Sequence, residues 1–317
     1  MPAAGARRAA RGGPLSRSGF RCSTASEDRS ELLAGSASTV NTFLLLEHTG
    51  AWGIEALRDS RLPEGLGSAL SRAAAEAKVR VLLVRRPDRS AVDGHRVFAV
   101  SARPRNPWVE AGVLDHPADV LDLDLHSLRA GHSVGLDRHD QPLFCVCTHG
   151  RHDACCAERG RPVAGALAEA YPRHTWEVSH LGGDRFAGNM LLAPDGLYYG
   201  RLTPEAAVEV ARARLAGELE LDHLRGRTGY PMPVQAAEIG LRRELGLTRL
   251  GGVRLTARTV EGPVTTATFD TVHPEAGRAA YAVRVRSTRG DPVRLTCRAA
   301  RDQPPIRHEV LDVTPTG

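Results

Sequence analysis

The stretch from Leu143 to about Leu219 constrains the fold more than any other part of this chain. Leu143-Phe144-Cys145-Val146-Cys147 reads as a β run, which Thr148-His149-Gly150 breaks. Asp153 can cap a short turn holding Cys155 and Cys156. Gly160-Arg161-Pro162 then reads as an interruption, with Pro162 opening a fresh helix that runs to Tyr171. Trp176-Glu177-Val178-Ser179 returns as a strand into His180-Leu181-Gly182-Gly183-Asp184. Asn189–Ala193 and Leu197–Arg201 form a hairpin across the turn Pro194-Asp195-Gly196. Thr203 and Pro204 suit the N-cap and first turn of a closing helix. Strand, helix, strand, hairpin and helix in that order predict an α/β layer.

The flanks sort into blocks. Upstream, Phe43–Leu46, Val79–Val84 and Arg96–Val100 read as strands, with the last two expected to pair across the turn 88–94. Trp52–Leu57 starts a short helix, and Leu66–Ala77 has helical spacing. Downstream, Val234–Leu245 is an amphipathic helix. Arg254–Val260, Thr265–Phe269, Ala280–Arg286 and Val293–Arg298 alternate like antiparallel strands. The expected organisation is a disordered leader over 1–35, an α/β domain over 36–135, a second α/β domain over 140–226, and a helix with antiparallel β over 227–317. No internal repeat is obvious, although the first two blocks could share a fold.

Charge narrows the function. The 317 residues carry a net +5, but residues 1–30 hold six arginines against Glu27 and Asp28. That leaves +1 for the other 287 residues, so the basic stripe of a nucleic-acid reader is not expected on the folded part. The chain has no run of eighteen apolar residues and so no membrane span is expected. Residues 1–20 lack the apolar core of a secretory signal, which makes the cytoplasm the expected compartment. There, cysteines serve as metal ligands or redox thiols more readily than as structural disulfides.

Four of the six cysteines, Cys145, Cys147, Cys155 and Cys156, fall within twelve residues. His149 and His152 lie among them, and His180 and Asp184 follow. Soft thiolates with imidazole suit zinc or iron–sulfur. Isolated cysteines are commonly small buried hydrophobes, which is the plain reading of Cys297 in its expected β run. Cys145 and Cys147 lie two apart on one strand and so face one side. His149 and His152 read as solvated or hydrogen-bonding loop residues. Gly182-Gly183 beside His180 is either a tight turn or a place where a cofactor or backbone comes close. Asp122, Asp124, Glu177, Asp184 and Asp195 offer carboxyl groups, but a glycosidase pair needs a defined separation that spacing alone does not supply.

Cys147-Thr148-His149-Gly150 with Asp153 and Cys156, then Trp176-Glu177-x-Ser179-His180-x-Gly182-Gly183, then Pro194-x-Gly196-x-Tyr198-Tyr199-Gly200-Arg201, resemble the sucrase/ferredoxin-like family. The likeness runs from about Ser36 to Arg227. Its densest part, 145–202, is similar to the thioredoxin-like ferredoxins, in which four side chains hold a two-iron two-sulfur (2Fe-2S) cluster. The resemblance implies a thioredoxin-like, ferredoxin-type domain with Cys147 and Cys156 as the first two ligands. His180 and Asp184 fall on the last two positions, where characterised relatives use two histidines. Aspartate is a harder and poorer iron ligand, so either Asp184 ligates weakly or Cys155 supplies the fourth bond, with Cys145 able to do so only if the strand end flexes.

The resulting expectation is a 2Fe-2S protein for electron transfer or redox sensing, acting with a redox partner protein. No catalytic residue is assigned, and sucrase activity has no support in the residues. A structural zinc module and a thiol redox enzyme on a thioredoxin-like scaffold are the alternatives.

Overall fold

In the computed structural model, which describes residues 19–90, 92–273 and 277–316, the chain is mixed α/β. In chain order the elements are α1 (Cys22–Asp28), β1 (Thr42–Glu47), α2 (Ala56–Asp59), α3 (Leu66–Ala77), β2 (Arg80–Arg85), β3 (His95–Ser101), β4 (Trp108–Leu114), α4 (Leu125–Ala130) and β5 (Asp137–Arg138). Then come β6 (Leu143–Cys147), α5 (Ala154–Ala170), β7 (Thr175–Val178), β8 (Met190–Ala193), β9 (Leu197–Tyr199), α6 (Pro204–Leu215) and β10 (Leu224–Arg227). The chain ends with α7 (Met232–Leu245), β11 (Val253–Glu261), β12 (Val264–His273), β13 (Gly277–Arg289) and β14 (Ile306–Thr316).

The first ten strands form one curled sheet in the order β10-β9-β8-β6-β7-β2-β1-β3-β4-β5. Within it one topology occurs twice. β1 and β2 are parallel across a helical crossover, β3 is antiparallel to β1, and β4 is antiparallel to β3. β6, α5, β7, β8 and β9 repeat that plan strand for strand. The two halves join through their equivalent second strands, β2 and β7, which pair antiparallel at Val84↔Val178 and Arg85↔Glu177. Arg85 also forms a buried ion pair with Glu177 across this seam, at 2.7 Å. The repeat is invisible in the residues because the two halves share a hydrophobic pattern rather than a sequence.

The alternation of β6 decides which residues meet. Phe144 and Val146 pack against Val163 and Leu167 of α5. Cys145 and Cys147 face the opposite, concave side, where Trp176 meets Phe98 from the other half at 5.1 Å. The expectation that both cysteines share a side therefore holds. Beyond the sheet, α7 packs Val234, Ala237 and Leu241 on Phe269, Val283 and Val285 of a separate four-stranded antiparallel sheet, β11-β12-β13-β14.

Four local expectations need correction. Helix α5 is continuous, with Pro162 inside it rather than at its start. Pro162 and Glu158, whose carbonyl loses its partner, are both exposed, so the missing hydrogen bond faces water instead of the core. β3 pairs with β1 and not with β2, because the parallel crossover places β1 between them. The segment Val293–Arg298 makes only one bridge, from Val293 to Gln303, and the fourth strand of the last sheet is β14. Residues 22–28, expected in a disordered leader, form α1; Arg21 and Arg159 tie it to α5 through Glu158 and Glu27. Residues 1–18 of that leader lie outside the described residues.

Helix α5 approaches the end of β6 closely because Gly160 has no side chain. A Cβ there would sit 2.0 Å from the Cys147 carbonyl oxygen, whereas one on Gly165, on the exposed face, would meet nothing within 4 Å. Gly160→Ala should therefore destabilise the fold by about 1–3 kcal/mol through overpacking. Gly165→Ala should stabilise it by up to about 1 kcal/mol through helix propensity. Urea midpoints of the two variants give the test, and equal shifts would contradict the packing described.

Candidate metal centre

The end of β6, the first turns of α5 and the loop after β7 converge at one point. Asp153 caps α5 by accepting the Cys155 amide at 3.0 Å, and this fixes the helix's rotation. Cys156 then faces the concave side beside Cys147, and Cys155 faces the other way. The Cys147 and Cys156 sulfurs and a ring nitrogen of His180 lie within 4.8 Å of one another. Asp184, 3% exposed, approaches from the following 3₁₀ turn. Its Oδ1 accepts from the Cys156 thiol at 3.2 Å and lies 2.9 Å from His180 Nδ1. Although it is that close, the buried Nδ1 is not aligned for a hydrogen bond to any partner among the described residues.

The structure thus brings together Cys147, Cys156, His180 and Asp184. It does not bring Cys155 to them. Cys155 instead joins Cys22 and Cys297, with sulfur–sulfur distances of 3.7 and 3.5 Å. Cys145 is fully buried against the concave core and holds no place in either group.

Electrostatics within the first group favour a thiolate. Contact with the Cys156 thiol holds the Cys147 pKa well below the ordinary thiol value, with His180 adding to the effect, and the same contact raises Cys156. Burial opposes a charge on His180, but Asp184 and Cys147 outweigh it and lift the ring to about 9. A protonated His180 beside a Cys147 thiolate is how these groups balance charge in the bare chain.

The supporting residues were less legible. His149 is buried and hydrogen-bonding, the second of the two roles expected of it. Its Nε2 lies 2.9 Å from the Gly53 carbonyl oxygen and its Nδ1 accepts the His180 amide at 3.3 Å. Both nitrogens are occupied, so His149 positions His180 and leaves no lone pair for a metal. His152 stacks on His180 at 3.8 Å between ring centroids, and its Nε2 lies 4.0 Å from Asp184 Oδ2. That places His152, expected as a loop residue, at the rim of the group beside His180 and Asp184.

Gly182 and Gly183 adopt φ of +95° and +78°. The room at Gly183 goes to a protein group: a Cβ there would lie 2.3 Å from the Arg225 guanidinium. Buried Arg225 donates to Gly182 O, Asn189 Oδ1 and Ser36 O, and so locks the loop that presents Asp184. A cleft of about 580 Å³ opens onto His152 and His180, with Arg58, Arg72 and Arg80 on its wall. Of the remaining carboxylates considered for sugar chemistry, Asp122 is exposed and the other three are otherwise engaged. Glu177 pairs with Arg85, Asp195 with Arg214, and Asp124 caps α4.

Residues 33–226 match the sucrase/ferredoxin-like family. The chain belongs to that family. It is also similar to altered inheritance of mitochondria protein 32 of Candida glabrata, 28% identical over 104 residues. That alignment covers 28% of this chain and 33% of the yeast protein, so the chain spans about a third of the length of this curated relative. No solved structure matches. No helix among the described residues is long and apolar enough to cross a membrane.

Burial pushes the Cys145 thiol up to about 12. Because the thiolate is the reactive form, Cys145 should resist iodoacetamide in the native protein at pH 8 and react only after unfolding. Cys145→Ala should leave bound metal unchanged. Peptide mapping after labelling and metal analysis of the variant check both points, and loss of metal would make Cys145 a ligand.

Proposed function

We propose that Cys147, Cys156, His180 and Asp184 hold a 2Fe-2S cluster, and that the protein transfers electrons or senses redox state through it. The observation that carries this reading is the convergence of two thiols, an imidazole nitrogen and a buried carboxylate from three separate segments. Four donors of these types fit the number such a cluster requires, with the carboxylate the weakest of them. The fold supports the reading as well. The order β7-β6-β8-β9, with β6 and β7 parallel and the hairpin antiparallel, followed by α6, supports reading this half as thioredoxin-like.

When bound, the cluster accepts and returns one electron. The chain's own residues do the rest. His149 and Arg225 hold the two donor loops from outside, and β6 with α5 excludes water from the thiolate side. His180, whose side chain is 28% exposed, lies at the cleft and forms the shortest route from the centre to solvent. A redox partner protein would dock there against the arginines.

A second reading keeps the same residues. Three donor atoms within 4.8 Å of one another also suit a single zinc ion, for which thiolate and imidazole are equally good ligands. The name of the yeast relative records a role in mitochondrial inheritance and no cofactor, and so favours neither reading.

Anaerobic purification, iron and sulfide analysis and the visible spectrum distinguish them. A red-brown protein with two irons and two sulfides per chain is expected, and a colourless one with a single zinc would replace the cluster with the zinc reading. Cys147→Ala and Cys156→Ala should each abolish the colour while the far-ultraviolet signal persists. Cys155→Ala should keep the visible spectrum. Asp184→Ala should lose or shift it, and Asp184→His should restore a cluster of higher potential because a neutral ligand replaces an anionic one. An unshifted spectrum in Asp184→Ala would remove Asp184 from the ligand set.

A further inference from the structure

On the far side of α5, three cysteines from distant parts of the chain meet. Cys22 begins α1, Cys155 lies in the first turn of α5, and Cys297 lies in the segment between β13 and β14. Their sulfurs form a nearly equilateral triangle: Cys22–Cys155 at 3.7 Å, Cys155–Cys297 at 3.5 Å and Cys22–Cys297 at 3.5 Å. None is in a disulfide. Both carboxylate oxygens of Asp153 lie 3.6 Å from the Cys22 sulfur. We propose that Cys22, Cys155, Cys297 and Asp153 form a second metal centre, closed and structural, for a single thiophilic divalent ion of the zinc class.

Three observations argue against simple packing of buried thiols. The first is distance. Thiolates about 2.3 Å from one tetrahedral ion stand about 3.8 Å apart, close to the separations seen. In a multi-iron cluster three thiolates cannot all sit on one iron, so at least one of the three separations would be larger. The second is charge. Asp153 is 1% exposed and forms no salt bridge among the described residues, although it faces three ionisable sulfurs. A buried carboxylate without a cation is costly, and a bound divalent ion would supply one. The third is the surrounding bonds. Asp153 accepts the Cys155 amide at 3.0 Å and the Cys297 amide at 2.7 Å, and the Cys22 amide points at the Cys297 sulfur at 3.5 Å. The groups that orient the thiols are thus already in place, as a metal site requires.

The ion would clip both ends of the described chain to α5. Arg21 meets Glu158 at 2.6 Å on one side, and Arg294 covers Phe20 at 4.4 Å on the other. Because Cys155 and Cys156 are adjacent, this clip also fixes the turn of α5 that presents Cys156 to the first centre.

The test uses the full chain carrying Cys147→Ala and Cys156→Ala, so that its outcome does not depend on what the first centre binds. Titrated with Co²⁺, this background should take up one ion per chain, with an intense thiolate-to-cobalt charge-transfer band that one equivalent of Zn²⁺ abolishes. Adding Cys22→Ser or Cys297→Ser should reduce Co²⁺ affinity at least tenfold. Cys297→His should recover binding with a weaker charge-transfer band, because imidazole also ligates; a purely packing role for Cys297 would not be rescued this way. Circular dichroism confirms that each variant is folded. Undiminished Co²⁺ binding in both serine variants, or an unaltered background that binds no Co²⁺ and yields a Cys22–Cys155 or Cys155–Cys297 disulfide, would overturn the proposal.

Discussion

The rotation of helix α5 about its own axis is the constraint on which the rest of this structure depends. Successive residues on a helix point about 100° apart, so two adjacent cysteines face different surroundings. Which surroundings they face is set by two contacts. Asp153 caps the first turn, and Gly160 lets the second turn lie against the Cys147 carbonyl. Together they aim Cys156 at Cys147 and Cys155 at Cys22 and Cys297. A rotation of the helix by one position would dismantle both groups at once. The vicinal pair is therefore divided between two side-chain groups instead of joining one.

What could be read in the sequence was local. β1, α3, β2, β6 and α7 follow from runs and periodicities that a single segment contains, and their observed bounds fall close to the patterns. Cys147, Cys156, His180 and Asp184 came together through the family resemblance, with Cys155 or Cys145 as alternatives to Asp184, and the loop after the parallel pair of β6 and β7 is what returns His180 and Asp184 to the mouth of β6. Errors arose where the outcome depended on distant partners. β3 was assigned to the wrong neighbour because β1 inserts into the sheet between β2 and β3. Pro162 was read as a helix start, since a proline's tolerance inside a helix depends on which face meets water.

The second group lay beyond such reading. Cys22 and Cys297 are 275 positions apart, one beside the arginine-rich start and the other in what resembled a strand. Alone, buried Cys22 and half-buried Cys297 each look ordinary. Only the fold shows that Asp153, legible as a cap, also accepts the Cys297 amide.

The duplicated topology explains why donors gather in one half only. At the end of β6 the chain reads Cys147-Thr148-His149-Gly150; at the equivalent end of β1 it reads Glu47-His48-Thr49-Gly50. Glu47 is buried and paired with Arg96, which makes that strand end a structural ion pair and not a ligand. The loop beyond it serves the other half instead. Gly53 and Ile54 present carbonyl oxygens to the rings of His149 and His152, and Trp52 packs edge-on against His149 at 5.6 Å. One half carries the Cys147, Cys156, His180 and Asp184 group, and the other walls it. Substitutions in the loop 48–55 should therefore act on the orientation of His149, and through it His180, without touching a ligand.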